Sequence, residues 1–331
     1  MESSQGVIIA GRQHSGNSVL CKILGRSEPC LVDCSESTWF EHASDAKSGT
    51  DSRAVLKRAV ELLPDTFSCP PDRLDAVRAE LSRQPKVGTY RPYTRILDAV
   101  TSQRGRTHWM LKGTSFIFYA PEVLGEVPSV KVVYLIRNPL DVVASTYKRV
   151  QRTLQSGDHL LYGDWLFSPL LGWRRGIDLA TGVKERFPER VRLVRYEDMV
   201  QTDDVVEQLF DFVGVPFDPS YLQVSHVNQS DHPTPGTDQE TKRKGLNASR
   251  VGYYSEVLSE SQLRAVRSLL PRDRLQTWYP NLDVSAIGSG SWGKAQVYRL
   301  QCGGRLLNRC LRKMVSSPVS TLHRIWKRIA G

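Results

Sequence analysis

Residues 131–136, Lys-Val-Val-Tyr-Leu-Ile, constrain the fold more than any other stretch of this 331-residue chain. After its lysine the run is β-branched, aromatic and continuously apolar, so both faces of the strand it forms have to be covered. Such a strand belongs inside a parallel sheet, and Asn138-Pro139 then opens a helix with proline near its start. Residues 191–196 (VRLVRY) are of the same type and follow a long helical stretch at 173–187. Shorter apolar runs at 7–10, 30–34 and 109–111 supply three more strand candidates, the last ending at Lys112. Amphipathic stretches at 51–63, 72–82 and 93–103 read as helices, broken by Pro64, by Pro70-Pro71 and by Pro85 through Pro92. Strands alternating with helices predict an α/β fold, with a mostly parallel central sheet flanked by helices.

The first strand candidate leads into Gly11-Arg12-Gln13-His14-Ser15-Gly16-Asn17-Ser18, and apolar residues then recur at helical spacing. Two glycines five residues apart between a strand and a helix are the spacing of a phosphate-binding loop, where backbone N–H groups and a helix N-terminus converge on an anion. In nucleotide triphosphatases the next two positions are Lys and Ser/Thr, for the terminal phosphates and magnesium. Asn17 and Ser18 stand there instead, which argues for a phosphate group without a metal-bound triphosphate. Arg137, at the end of the strongest strand, falls where open α/β sheets bind ligands. Ser145 follows about two helical turns later, so the pair can hold a second phosphate.

Together these motifs resemble the PAPS-dependent sulfotransferase family, and the resemblance runs over roughly residues 6–280. Residues 11–18 look like its loop for the 5′-phosphosulfate, Arg137 and Ser145 match its 3′-phosphate pair, and YLIRNPLDVVASTYKR is very like its segment there. Lys112-Gly-Thr-Ser-Phe sits where many members have Lys-Thr-Pro. Arg250-Val-Gly-Tyr-Tyr, with Gly252 at its centre, resembles the segment that closes over the nucleotide just before a helix, which here starts at Ser259; Tyr196-Glu-Asp also recurs in the family. The resemblance implies a P-loop-like sulfotransferase architecture, PAPS as donor, PAP as product and no metal. Arg12, His14, Ser15, Gly16, Asn17, Ser18, Arg137, Ser145, Arg250 and Gly252 then hold the nucleotide. Two positions depart from the pattern: His14 replaces a Lys or Arg, for which Arg12 can substitute, and Asn17-Ser18 replaces Thr-Thr or Thr-Ser. Arg243-Lys244-Gly245 is an alternative to Arg250.

In-line sulfuryl transfer leaves the protein mainly positioning and charge stabilisation, for which His14 or Arg12 and Lys112 are candidates. Family members take their general base from a Glu or His after the second strand. Glu36, in a Glu-x-x-aromatic-aromatic form with Trp39-Phe40, is the first choice, with Glu41 and His42 as fallbacks. Trp39, Trp165 and Trp173 read as core or loop anchors rather than sugar platforms. His226 and His232 lie in a polar, breaker-rich stretch at 226–249 with no third ligand nearby, so no metal site is expected.

Nine of the ten net positive charges fall in residues 284–331, which contain no Asp or Glu. The remaining body is nearly neutral, which removes the main support for nucleic-acid binding. The expected organisation is therefore a sulfotransferase domain at 1–283 and a basic, partly helical extension at 284–331. In the extension, Leu322, Ile325, Trp326 and Ile329 recur at helical spacing apart from Arg324, Lys327 and Arg328, a pattern suited either to peripheral contact with an anionic membrane or to packing on the body. The N-terminus lacks a signal-peptide pattern and no apolar run spans a bilayer, so the expected compartment is cytoplasmic, with membrane association through the tail open. The six cysteines show no CxxC pair, which favours free thiols. The favoured acceptor is a carbohydrate hydroxyl, with tyrosine, lipid and small-molecule acceptors open. The rivals are a P-loop kinase using ATP and a nucleotide-binding membrane adaptor without transfer activity.

Overall fold

The computed structural model describes residues 4–43, 52–83, 88–155, 164–224, 246, 248–282 and 292–316, without the side chains of residues 42, 52–54, 309 and 312–316. Its strands are β1 (Gln5–Gly11), β2 (Cys30–Glu36), β3 (His108–Lys112), β4 (Val130–Ile136) and β5 (Val191–Arg195). They form one sheet in the order β2-β3-β1-β4-β5. β1 runs parallel to β3 and β4, with Ile8 opposite Leu111 and Val132, and β2 runs parallel to β3. The expected α/β architecture is the one observed, and the five expected strands agree with the observed ones to within a few residues.

The helices, in chain order, begin with α1 (Asn17–Leu24) after β1 and α2 (Trp39–Ala43) after β2. Then come α3 (Ser52–Glu61), α4 (Pro71–Ser82) and α5 (Arg91–Gln103), close to the three stretches read from the sequence, and α6 (Ala120–Glu126) before β4. α7 (Pro139–Gln155) and α8 (Phe167–Arg186) separate β4 from β5. After β5 follow α9 (Tyr196–Gln201), α10 (Asp203–Val213), α11 (Tyr254–Val257), α12 (Glu260–Arg267), α13 (Arg272–Trp278) and α14 (Trp292–Ser316). No described helix is long and apolar enough to cross a membrane.

The chain divides into two units. The first, Met1–Gly11 with Gly16–Leu135 and Ala180–Asn247, contains the sheet. Val7, Ile8, Ile9, Ala10, Val132 and Val133 are wholly buried, as the covered-strand argument requires. α1 packs on β1, β2 and β3, and α5 on β1 and β3. The buried Trp109 of β3 donates its indole N–H to Asp98 of α5 (2.9 Å), so burial does not strand that polar hydrogen. After β1 the chain travels to β2 at one edge, and after β4 to β5 at the other. The carboxyl ends of the neighbouring β1 and β4 are therefore a topological switch point, the position at which open α/β sheets take ligands.

The second unit comprises Arg12–Ser15, Ile136–Leu179 and Ala248–Gly331. Within it α7 packs against α11 and α12, and α12 against α14. α12 starts on a capping box: Ser259 accepts from the Gln262 backbone while the Gln262 side chain answers the Ser259 N–H, which confirms the expected helix start. Trp165 lies edge-on to Tyr147 and Tyr298, and Trp173 packs beside Tyr279. Both tryptophans are buried, so they anchor this unit, as Trp39 does in the first. All six cysteines are free thiols.

Candidate active site

The loop between β1 and α1 is shaped by its glycines. Gly11 has φ 152°, and a Cβ there would stand 2.5 Å from Asn17 Oδ1 and 2.6 Å from the Leu135 carbonyl oxygen. Gly16, at φ 97°, opens α1, and a Cβ on it would stand 2.6 Å from the ring of Tyr196. Only glycine satisfies both the backbone angle and the space. Asn17 donates its amide to the Gly11 carbonyl (2.9 Å), so the residue at the usual lysine position ties the two ends of the loop together. The N-cap of α1 is Gly16, which has no side chain to cap the helix, and a helix N-terminus favours an anion.

A second cluster in the first unit joins α1, β2 and β3. Lys112, at the end of β3, donates to Ser18 Oγ in the first turn of α1 (3.2 Å) and stands 3.7 Å from Glu36 Oε2. The other Glu36 oxygen accepts both the backbone N–H and the hydroxyl of Thr114, at 2.5 Å each. One ammonium thus links the candidate base to the helix that follows the loop. Glu41 accepts the Ser115 hydroxyl instead. Trp39 stacks on Tyr93 (centroids 4.9 Å) and Phe40 meets Phe116 edge-on (4.7 Å), so the aromatic pair fixes the segment that carries Glu36.

In the second unit the node is Arg137. Its guanidinium donates to the carbonyls of His14 and Arg250, each at 2.7 Å, and its own carbonyl accepts the Trp173 indole N–H at 2.7 Å. Asp141, wholly buried on α7, accepts the backbone N–H groups of Gly252 (3.0 Å) and Tyr254 (2.9 Å). Gly252 has φ 74°, and the Arg250 guanidinium lies 4.4 Å over the Tyr253 ring. Arg137 and Asp141 therefore moor the segment at 250–254 at two points.

His14, with φ 68°, is the one non-glycine residue at positive φ among the described residues. The Ser15 N–H closes a tight turn on the Arg12 carbonyl (3.1 Å), and Arg12 donates to the Ser168 carbonyl (3.1 Å). Burial, and then Arg149, Arg12, Arg137 and Arg152, push the His14 imidazole down from 6.5 to about 4. His14 is consequently neutral at pH 7, and its surroundings are strongly positive. Ser15 is wholly buried, and its Oγ has no hydrogen-bond partner among the described residues. A hydroxyl left so costs about 1–3 kcal/mol, which an arriving acceptor oxygen offsets.

A model of the sulfotransferase family matches residues 6–219, well over half of the chain. The chain belongs to the sulfotransferase family. No curated protein sequence matches it. Among solved structures, this sulfotransferase is similar to the sulfotransferase domain from the curacin biosynthetic pathway, with 19% identity over 78% of this chain and 93% of that one and a TM-score of 0.44. It is also similar to the sulfotransferase domain from the Synechococcus PCC 7002 olefin synthase (15% identity, 78% and 90% covered, TM-score 0.46). A third is retinol dehydratase, solved in complex with retinol and PAP (13% identity, 83% and 82% covered, TM-score 0.42).

Of the residues expected from the sulfotransferase sequence, Gly16, Asn17, Ser18, Glu36 and Lys112 lie in the first unit. Arg12, His14, Ser15, Arg137, Ser145, Arg250 and Gly252 lie in the second. Arg137, His14 and Arg250 are brought into direct contact, while Ser145 sits half-buried on α7. Arg152 escaped the sequence reading and Arg149 was quoted within a motif without a role, although they stand seven and four residues beyond Ser145, a spacing that stacks all three along one side of a helix. Asp141 and Thr114 were quoted within motifs without a role. The His42 side chain, Arg243-Lys244-Gly245, His226, His232 and residues 320–329 lie outside the described residues.

Proposed function

We propose that this sulfotransferase moves a sulfuryl group from PAPS to an acceptor hydroxyl, with a carbohydrate hydroxyl as the favoured class, within a domain at 1–283 that carries a basic extension at 284–331. The observation that carries the reading is the Arg137 node. It joins the phosphate loop, the end of β4 and the segment at 250–254, among the arginines that hold His14 neutral. Two glycines that let the loop turn closely against Leu135 and Tyr196, and the buried Ser15 hydroxyl, suit an anionic donor. PAPS supplies an activated sulfuryl group on a phosphate leaving group.

The chain's own residues then divide the work. Backbone N–H groups of the loop and of α1 bind the 5′ end, and Lys112 brings positive charge to where charge grows on the leaving oxygen. Arg137 and Ser145 take the 3′-phosphate, with Arg250 and Gly252 closing over it. Glu36 takes the acceptor's proton: Thr114 occupies one of its oxygens, and a carboxylate retains further acceptor positions.

PAP should raise the melting temperature without magnesium, because a ligand that binds only the folded state stabilises it. Thermal shift assays check this, and a strong shift with ATP-magnesium beside none with PAP would overturn the proposal. A screen of hydroxyl acceptors with labelled PAPS then identifies the acceptor class.

The His14 environment sets a second expectation. The folded imidazole titrates near 4 and the unfolded one near 6.5, so between these values the unfolded chain binds more protons. The stabilisation is complete above 6.5 and is lost as pH falls toward 4, a contribution of roughly 1–3 kcal/mol. His14→Asn, which tolerates positive φ without titrating, should remove this part of the slope in urea denaturation from pH 7 to 4. Equal slopes in both proteins would show that His14 is not held neutral.

A further inference from the structure

We propose that the outward face of α14 is a docking surface for an anionic lipid bilayer. α14 turns one side inward, with Ala295 and Cys302 at 3% and 1% exposure. The opposite side presents Val297, Leu300, Leu307 and Leu311 at 49%, 77%, 60% and 53% exposure. Their spacings of three, seven and four residues place them on one stripe, about 21 Å long at 1.5 Å per residue. Gly304 falls on the same stripe, with nothing within 4 Å of its Cβ position. Leu171, 58% exposed, lies one turn along α8 from Phe167, whose ring is 3.7 Å from the Cβ position of Gly303.

A row of large aliphatic side chains directed at water is unusual on a soluble protein and marks an interaction surface. Charge selects the occupant. Residues 284–331 carry nine Lys and Arg and no acid, and Lys294 and Arg305 flank the stripe, exposed. A second copy would oppose the same charge with itself. An anionic bilayer offers negative headgroups above an apolar interior, the combination that an interfacial basic helix takes. The binding energy divides accordingly: the cations draw the helix to the headgroups, and the leucines enter between them.

Removing α14 is a poor test, because its inner side covers α12. The test uses the full chain and sedimentation with vesicles of phosphatidylcholine alone or with about one-third phosphatidylserine. At low salt the protein should partition at least tenfold better onto the anionic vesicles. The double variant Leu300→Ser, Leu307→Ser should lose at least tenfold of that binding, while its melting temperature and its response to PAP stay those of the parent. Protein that remains in the supernatant at low salt overturns the proposal. So does a variant that sediments like the parent, which would mean that charge alone binds, and so does a dimer in analytical ultracentrifugation that the variant dissolves. The PAP response is read independently, so failure here leaves the donor assignment untouched.

Discussion

Glu36→Gln should reduce turnover by about two to four orders of magnitude while leaving PAP affinity unchanged, the range expected for loss of a general base. The substitution separates chemistry from structure well at this position. Glutamine can keep its carbonyl oxygen on the Thr114 N–H and hydroxyl, so the segment after β2 retains its anchor. What changes is the second oxygen, 3.7 Å from Lys112, which becomes an amide and no longer takes a proton. The side chain is 39% exposed, so folding stability should hardly move. Turnover at saturating PAPS and acceptor is the measurement, with PAP titration as control. Parental turnover in Glu36→Gln, together with collapse in Glu41→Gln, would move the base to the carboxylate that holds Ser115.

Much of the fold was legible because its information is local. The run at 131–136 can only be an interior strand, and the two glycines of the loop are fixed by φ and by Tyr196 and Leu135, which leaves a spacing in the sequence. The site was legible unevenly. Arg137 announces itself by ending the central strand, but its engagement of the His14 and Arg250 carbonyls joins positions far apart in the chain, which no spacing records. Asn17 reads as a missing lysine in the sequence, and only the structure gives it a task, the bond to Gly11. Arg149 and Arg152 look like ordinary exposed helix residues; their effect is the field at His14, which adds over groups from several segments. The stripe on α14 was overlooked for a different reason. Helical periodicity shows that a face is apolar, not whether it is turned inward, and α14 has apolar residues on both sides.

Arg137→Ala should weaken PAP binding by about a hundredfold or more with little change in turnover at saturating donor. Loss of one charge-assisted contact costs about 1.5–3 kcal/mol, or ten- to more than a hundredfold in affinity. Here the loss exceeds one contact, since the same guanidinium holds the His14 and Arg250 carbonyls. The segment at 250–254 stays tethered by Asp141 through Gly252 and Tyr254, so the fold should survive and the comparison stays interpretable. Arg137→Lys restores the charge, but a single ammonium on a flexible stem cannot reproduce the planar fork across both carbonyls. An intermediate affinity for lysine would separate the two roles, charge toward the ligand and mooring of the protein. Calorimetric titration of PAP reads the affinity, and the KM for PAPS should rise in parallel while kcat holds, the pattern of an interaction made equally in ground and transition states. Unchanged affinity in Arg137→Ala would place the 3′-phosphate elsewhere. A fall in kcat alone would make Arg137 a positioning residue for the loop through His14, without a role in holding the nucleotide.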